Sequence, residues 1–194
     1  MKVPQLSGLV ACALLCASPA DAAKCRLSTP SSSISSAASV PSGPSTPNCY
    51  TNYISNKYFT DGSSWTFAGD SSASTSCGIY STCAELNADA GPASVSQSFA
   101  TVPGFQYYAS FAYMYSSQPA SDADSATCEI ISGGQTVASV VLPYRGLSTY
   151  YGQGVYATPT TRTSTLICKI SSASTGPVYL TQMAVTWNSD TCEN

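Results

Sequence analysis

The chain has 194 residues, with seven lysines and arginines, ten aspartates and glutamates and no histidine, for a formal net charge of −3. Without imidazole there is no Ser-His-Asp or Cys-His system, no histidine metal site and no side chain that switches charge near neutral pH. Beyond the leader no two basic residues lie closer than Lys24 and Arg26, so nothing clusters to neutralise phosphates and a nucleic-acid partner is excluded.

Residues 1–22 read as a signal peptide, with Lys2, an apolar run over 9–17 and the small-x-small site Ala20-Asp21-Ala22. That run is far shorter than the ~20 residues of a membrane span, and no later run is longer. The protein is therefore expected to be secreted, to the extracellular space or the cell wall, with no membrane anchor. Residues 23–47 are rich in serine, threonine and proline and hold few large apolar side chains, so they cannot offset the entropy of ordering. They read as a disordered linker of the kind that carries O-glycans. No Asn-x-Ser/Thr sequon is present to add N-glycans. Residues 48–194 are enough for one ordinary domain with its own core.

Within that domain, strand-like runs between turn signals fall at 65–68, 83–87, 93–100, 105–115, 127–132, 136–142, 155–158, 164–171 and 178–187. No stretch keeps a 3.6-residue period, and the Ser, Thr, Tyr and Val content opposes helix. The expected fold is an all-β sandwich. Its central strand is the run 105–115, where Phe105, Tyr107, Ala109, Phe111 and Tyr113 share one face while Tyr108, Ser110, Ala112 and Met114 point the other way.

Cys25, Cys49, Cys77, Cys83, Cys128, Cys168 and Cys192 remain after the leader, and an oxidising compartment makes disulfides the default. The repeated pattern Cys128-Glu129-Ile130 and Cys168-Lys169-Ile170 places cysteine and isoleucine on one face and a charge on the other. If the two strands are neighbours, Cys128 joins Cys168 and Glu129 meets Lys169. The bridge is then worth ~4 kcal/mol on the loop-entropy account and the ion pair less than ~1 kcal/mol. Cys77 with Cys83 would tie off a short loop, and Cys49 with Cys192 would join the domain ends. That leaves Cys25 in the linker, free to form a disulfide dimer; the alternative is Cys25 bonded to Cys49 or Cys192.

Three phrases together resemble the fungal and bacterial carbohydrate-binding modules of families 4, 9 and 22. The first is Asn52, Asn56, Phe59, Gly62 and Trp65. The second is Gln97 and Phe99 followed by Gly104, Tyr107, Ser110 and Phe111, and the third is Val178-Tyr179-Leu180-Thr181-Gln182-Met183-Ala184-Val185. The resemblance implies a galactose-binding-like β-jelly roll that binds polysaccharide of a cell wall or plant. It also implies a structural calcium held by carboxylates, but the matching positions here are Thr60 and Thr181 or Gln182. A hard cation wants several oxygen ligands, preferably charged, so no calcium and no other cofactor is expected.

A sugar ring offers an apolar C–H face and a polar rim, so a glycan site needs exposed aromatic rings beside hydrogen-bonding side chains. Thirteen tyrosines are available. The candidates for ligand contact are Tyr80 between Cys77 and Cys83, Tyr108 on the second face of the central strand, and Tyr144, Tyr150 and Tyr151 in the Gly- and Tyr-rich segment 143–154 around Arg145. Tyr107, Tyr113 and Tyr179 are read as core, Trp65 as packing, and Gln97 as a possible hydrogen-bond donor that shares the phase of buried neighbours. An enzyme of this composition would need a glycosidase carboxylate pair, and Glu85, Asp89, Asp122, Asp124 and Glu129 show no such pairing in sequence. The expectation is a non-catalytic, weakly glycan-binding module; the alternative is a cell-surface or wall protein, or a secreted effector, that uses the fold as a spacer.

Overall fold

The structure, a computed structural model, describes residues 51–171 and 176–188. The signal peptide, the linker, Cys25, Cys49 and Cys192 lie outside the described residues. Among the described residues ten strands form: β1 (Thr66–Ala68), β2 (Ser71–Ser74), β3 (Cys83–Leu86), β4 (Ala93–Ala100), β5 (Tyr107–Tyr115), β6 (Thr127–Ser132), β7 (Gln135–Val141), β8 (Tyr151–Ala157), β9 (Thr163–Ile170) and β10 (Val178–Trp187). A short 3-10 helix, Asp122–Asp124, interrupts the loop before β6. Among the described residues no helix is long and apolar enough to cross a membrane.

The strands make two five-stranded antiparallel sheets, ordered β1-β4-β9-β6-β7 and β2-β3-β10-β5-β8. Their inner faces build a single core. β5 contributes Tyr107, Ala109, Phe111, Tyr113 and Tyr115, and the facing sheet contributes Val95, Phe99, Ile130, Leu166 and Ile170, all buried. The fold is thus the expected all-β sandwich, because period-two alternation puts every second side chain of these strands on the inside.

Large aromatics in a core must place their polar ends. The Tyr107 hydroxyl accepts from Val102 N–H at 2.9 Å, Tyr113 donates to Pro143 C=O at 2.7 Å, and Tyr115 donates to Leu142 C=O at 2.7 Å while accepting from Ala126 N–H at 2.8 Å. Among the described residues no buried side-chain nitrogen or oxygen lacks a partner, which is what burial of polar atoms requires.

Among the described residues two disulfides staple the sandwich. Cys128 lies directly opposite Cys168 in the β6–β9 register and is bonded to it, and Cys77 is bonded to Cys83. Lys169 Nζ reaches Glu129 Oε1 at 2.8 Å across the same strand pair, with the lysine half in solvent. The Cys128–Cys168 bond and the Glu129–Lys169 ion pair are those expected from the repeated Cys-x-Ile pattern, and Cys77–Cys83 closes the short loop expected between them.

The phrases behind the family resemblance have structural roles. Asn52 Oδ1 accepts from Ile54 N–H at 3.1 Å and from Val185 N–H at 2.9 Å, while Tyr53 N–H donates to Val185 C=O at 2.8 Å. These bonds hook the start of the domain onto β10. Buried Gln97 accepts from Ser55 N–H at 2.8 Å and donates to Ser64 C=O at 2.6 Å. Buried Trp65 donates from Nε1 to Asn56 C=O at 3.0 Å, its ring 4.7 Å from that of Phe59.

Candidate functional site

The outer face of β5 carries Tyr108, Ser110, Ala112 and Met114, and its neighbours complete a surface of unusual relief. On β8, Tyr156 lies opposite Tyr108, Gly154 opposite Ser110 and Gly152 opposite Ala112. On β10, Thr186 lies opposite Tyr108 and Ala184 opposite Ser110. The middle rows therefore hold only small residues, glycine, alanine and serine with Thr181 opposite Ala112, and rings lie beyond them. The result is a trough crossing the strands, with a cavity of about 470 Å³ that includes Tyr108, Ser110, Gly152, Gln153, Gly154 and Gln182 in its lining.

One wall is the tyrosine pair Tyr108 and Tyr156, with ring centroids 4.7 Å apart at 39°. Tyr108 settles there because Gly154 has no side chain: a Cβ at that position would land on the Tyr108 hydroxyl. Tyr156 is 55% exposed, so its ring is free to meet a ligand. The opposite end is closed by the Cys77–Cys83 loop. Tyr150 donates to Cys77 C=O at 3.0 Å and meets Tyr80 edge-on at 4.6 Å. Tyr150 and Met114 both come within 4.0 Å of where a Cβ on Gly78 would sit.

Gln182 enters the trough through a bulge. Thr181 pairs with Ala112 but Ala184 pairs with Ser110, so β10 has one extra residue there. Gln182 takes the left-handed conformation, φ 51°, which leaves its side chain exposed while Met183 turns inward. Bulges re-aim side chains in this way, commonly beside functional sites. The lining is electrically neutral, made of phenol, amide and hydroxyl groups. At the far wall burial, then the phenols of Tyr80 and Tyr179, pushes Tyr150 up to about 12. Burial, with Glu85 alongside, raises Tyr179 as well. The Tyr150 phenol keeps its proton and donates to the Cys77 carbonyl.

Of the residues singled out in sequence, Tyr80, Tyr108 and Tyr150 belong to this face and its rim. Tyr144 and Tyr151 pack against the core. Tyr151 stands opposite Tyr113 in register, ring centroids 6.2 Å apart, and donates to Arg145 C=O at 2.7 Å. Tyr144 meets Tyr115 edge-on at 5.9 Å and borders a separate loop cavity of about 320 Å³ with Gln118 and Asp122. Tyr179, read as core, lies on the outer face opposite Met114 and Glu85. Tyr156, Gln153 and Gln182 were missed. The available signal was the run of small residues Ser110 and Ala112 on the same face as Tyr108, together with Gly152 and Gly154 two apart before Tyr156.

The residues corresponding to the implied calcium site do not fit that ion. Asn56 Oδ1 accepts from Thr60 N–H and Thr60 Oγ1, both at 2.8 Å, and Asn56 Nδ2 donates to Asp61 Oδ1 at 2.6 Å. Asp61 Oδ1 also accepts from Ser63 N–H, the main cause of its lowered pKa. Thr181 Oγ1 donates to Thr82 C=O at 3.2 Å. The loop thus closes on itself around one carboxylate, and among the described residues no three Asp, Glu, Cys or His side chains group together.

No known family model matches the sequence, and no curated protein matches it. Solved structures do share the fold. The chain is similar to a carbohydrate-binding module described as Family 16 Carbohydrate Binding Module-2, with TM-score 0.55 and 15% identity over 70% of this chain and 99% of that one. It is similar also to TmCBM61 in complex with β-1,4-galactotriose, with TM-score 0.54 and 14% identity over 71% and 99%. The fold is carbohydrate-binding-module-like. A Stig cyclase from Fischerella sp. TAU shares this sandwich equally well, with TM-score 0.55 and 11% identity over 71% of this chain and 96% of that one. The sandwich by itself therefore fixes no activity, and function has to be argued from the trough.

Proposed function

We propose that the protein is a secreted, non-catalytic glycan-binding module of the family 4, 9 and 22 kind, in which polysaccharide lies in the trough across β10, β5 and β8. The observation that carries this reading is the small-residue floor flanked by Tyr108 and Tyr156, with the exposed Gln182 beside it. Sugar C–H faces stack on rings, and amides with paired donor and acceptor suit hydroxyl rims. A neutral lining favours uncharged sugars, and no carboxylate lines the cavity to supply acid–base chemistry. Stacking worth ~1 kcal/mol per ring, with a few hydrogen bonds, corresponds to dissociation constants of ~0.01–1 mM.

The test is retention of the full chain on insoluble chitin, β-glucan, cellulose, xylan and galactan, and binding on a soluble glycan array. Tyr108→Ala and Tyr156→Ala should each weaken retention ~5- to 10-fold, as loss of one stacked ring implies. Tyr144→Ala, on the core side, should leave binding intact in the fraction that stays folded. Absence of retention on every polysaccharide, or retention indifferent to both trough tyrosines, would leave the spacer or effector reading in front.

A further inference from the structure

Among the described residues the trough opens at its β8 end onto a sheet edge with no hydrogen-bonded strand beyond it, β7 of the other sheet lying close by, and that edge differs from the other three. β1 and β2, the edges on the opposite side, have only three and four residues. β7 is longer, but its pairing shifts by one residue at Val137, where Ile130 faces Ala138 and Ile131 faces Thr136. Short length and bulges are how sheets protect their edges from pairing with other chains. β8 has neither protection. It runs seven residues, Tyr151–Ala157, in unbroken register with β5, contains no charge and no proline, and is the last strand of its sheet.

The sequence of this edge is also self-complementary. Tyr150-Tyr151-Gly152-Gln153-Gly154-Val155-Tyr156 is nearly a palindrome about Gln153. In an antiparallel pairing of two copies centred there, Gln153 meets Gln153, Gly152 meets Gly154, Tyr151 meets Val155 and Tyr150 meets Tyr156. Each of these is a favourable or neutral cross-strand pair, the glutamine amide being able to donate to and accept from its twin. Arg145, 6.0 Å from the Tyr151 ring, would lie toward Val155 of the other copy and so away from the other Arg145.

From this we infer that the protein forms a twofold homodimer through β8, joining the two β2-β3-β10-β5-β8 sheets into one ten-stranded sheet. A twofold axis suits a self-complementary strand, since an isologous contact closes after two copies and does not propagate. The glycines of both copies then adjoin, so the two troughs run into one another across the axis. The pairing rests on the chemistry of the edge and stands whether or not the trough binds glycan.

The experiment uses the full chain with Cys25→Ser, so that no linker thiol can join two copies. Directly opposed residues in an antiparallel pair have Cα atoms ~4.5–5.5 Å apart, within reach of a disulfide. Gln153→Cys should therefore give a covalent dimer on a non-reducing gel, while Ser139→Cys on the exposed β7 edge should not. By light scattering the Cys25→Ser parent should have twice the chain mass, and Gln153→Lys, which opposes two like charges at the axis, should halve it. A parent of single-chain mass at its highest soluble concentration overturns the proposal, as does cross-linking no greater in Gln153→Cys than in Ser139→Cys. So does a monomer whose β8 amides resist hydrogen exchange, since a segment of the same chain would then cover the edge.

Discussion

Tyr108 owes its position to an absent methyl group. A Cβ on Gly154 would collide with the Tyr108 hydroxyl and come 2.7 Å from the Ala109 carbonyl, whereas one on Gly152 would meet nothing within 4 Å. The ring can move aside but the backbone oxygen cannot. Gly154→Ala should therefore cost ~1–3 kcal/mol of stability by overpacking. Gly152→Ala should fall within about 0.5 kcal/mol of the parent, as an unobstructed surface change does. Urea midpoints of the two variants check this. Alternation alone had put Tyr108 on the outer face, and the short Cys77–Cys83 loop had made Tyr80 accessible. What sequence could not supply was the difference between Tyr150 and Tyr151, adjacent residues of which one joins the rim and the other packs on Tyr113. That depends on where β8 begins, and a strand displaced by one residue exchanges its faces.

At the level of strands, most of the sandwich was legible, because six of the ten strands, β3, β4, β5, β6, β9 and β10, carry buried apolar residues at alternate positions. β2 was not, since Ser71–Ser74 has no large apolar side chain and is held through its backbone pairing with β3. β8 was read from residue 155, four residues after its start at Tyr151, because Gly152 and Gly154 have poor strand propensity. The same glycines that hid half the strand form the floor of the trough. Between β6 and β9, the covalent and the ionic cross-links can be compared directly. Replacing Cys128 and Cys168 together by alanine should cost ~2–5 kcal/mol, since it releases a closed loop with a sequence separation of 40. Glu129→Gln should cost less than ~1 kcal/mol, because Lys169 is part-exposed and its pairing with Glu129 is screened. Paired denaturant titrations would reverse this account if the glutamate change cost the more.

For the molecule as a whole, the tyrosines set the alkaline limit. Burial raises the pKa of Tyr107, Tyr113, Tyr115 and Tyr179, and pushes Tyr150 up to about 12. In the unfolded chain each phenol titrates near ~10. Above that pH the unfolded state binds fewer protons than the folded one, so stability falls with rising pH. The contribution is complete below pH ~10 and is lost as pH climbs through the folded-state values, to about 12 for Tyr150. Urea midpoints measured from pH 8 to 12 should stay level and then fall, and Tyr150→Phe should lessen the fall. A flat profile to pH 12 would contradict the burial assigned to these rings.

Strand order was the part of the architecture least accessible from sequence, because it is fixed by contacts between distant residues, and its effect on folding kinetics is plain in β10. This strand comes last among those described and yet lies at the middle of its sheet, between β3 and β5. A chain synthesised from its N-terminus can pair β2 with β3 and β5 with β8, but the two halves cannot join until residues 178–187 emerge, and Tyr53 waits just as long for the Val185 carbonyl. Completion of this sheet is thereby postponed until β10 emerges, and its dependence on distant pairings slows folding. In the interval the nascent chain remains an open substrate for chaperones and thiol oxidants, for which the local Cys77–Cys83 loop is easier to close than the distant Cys128–Cys168 pair.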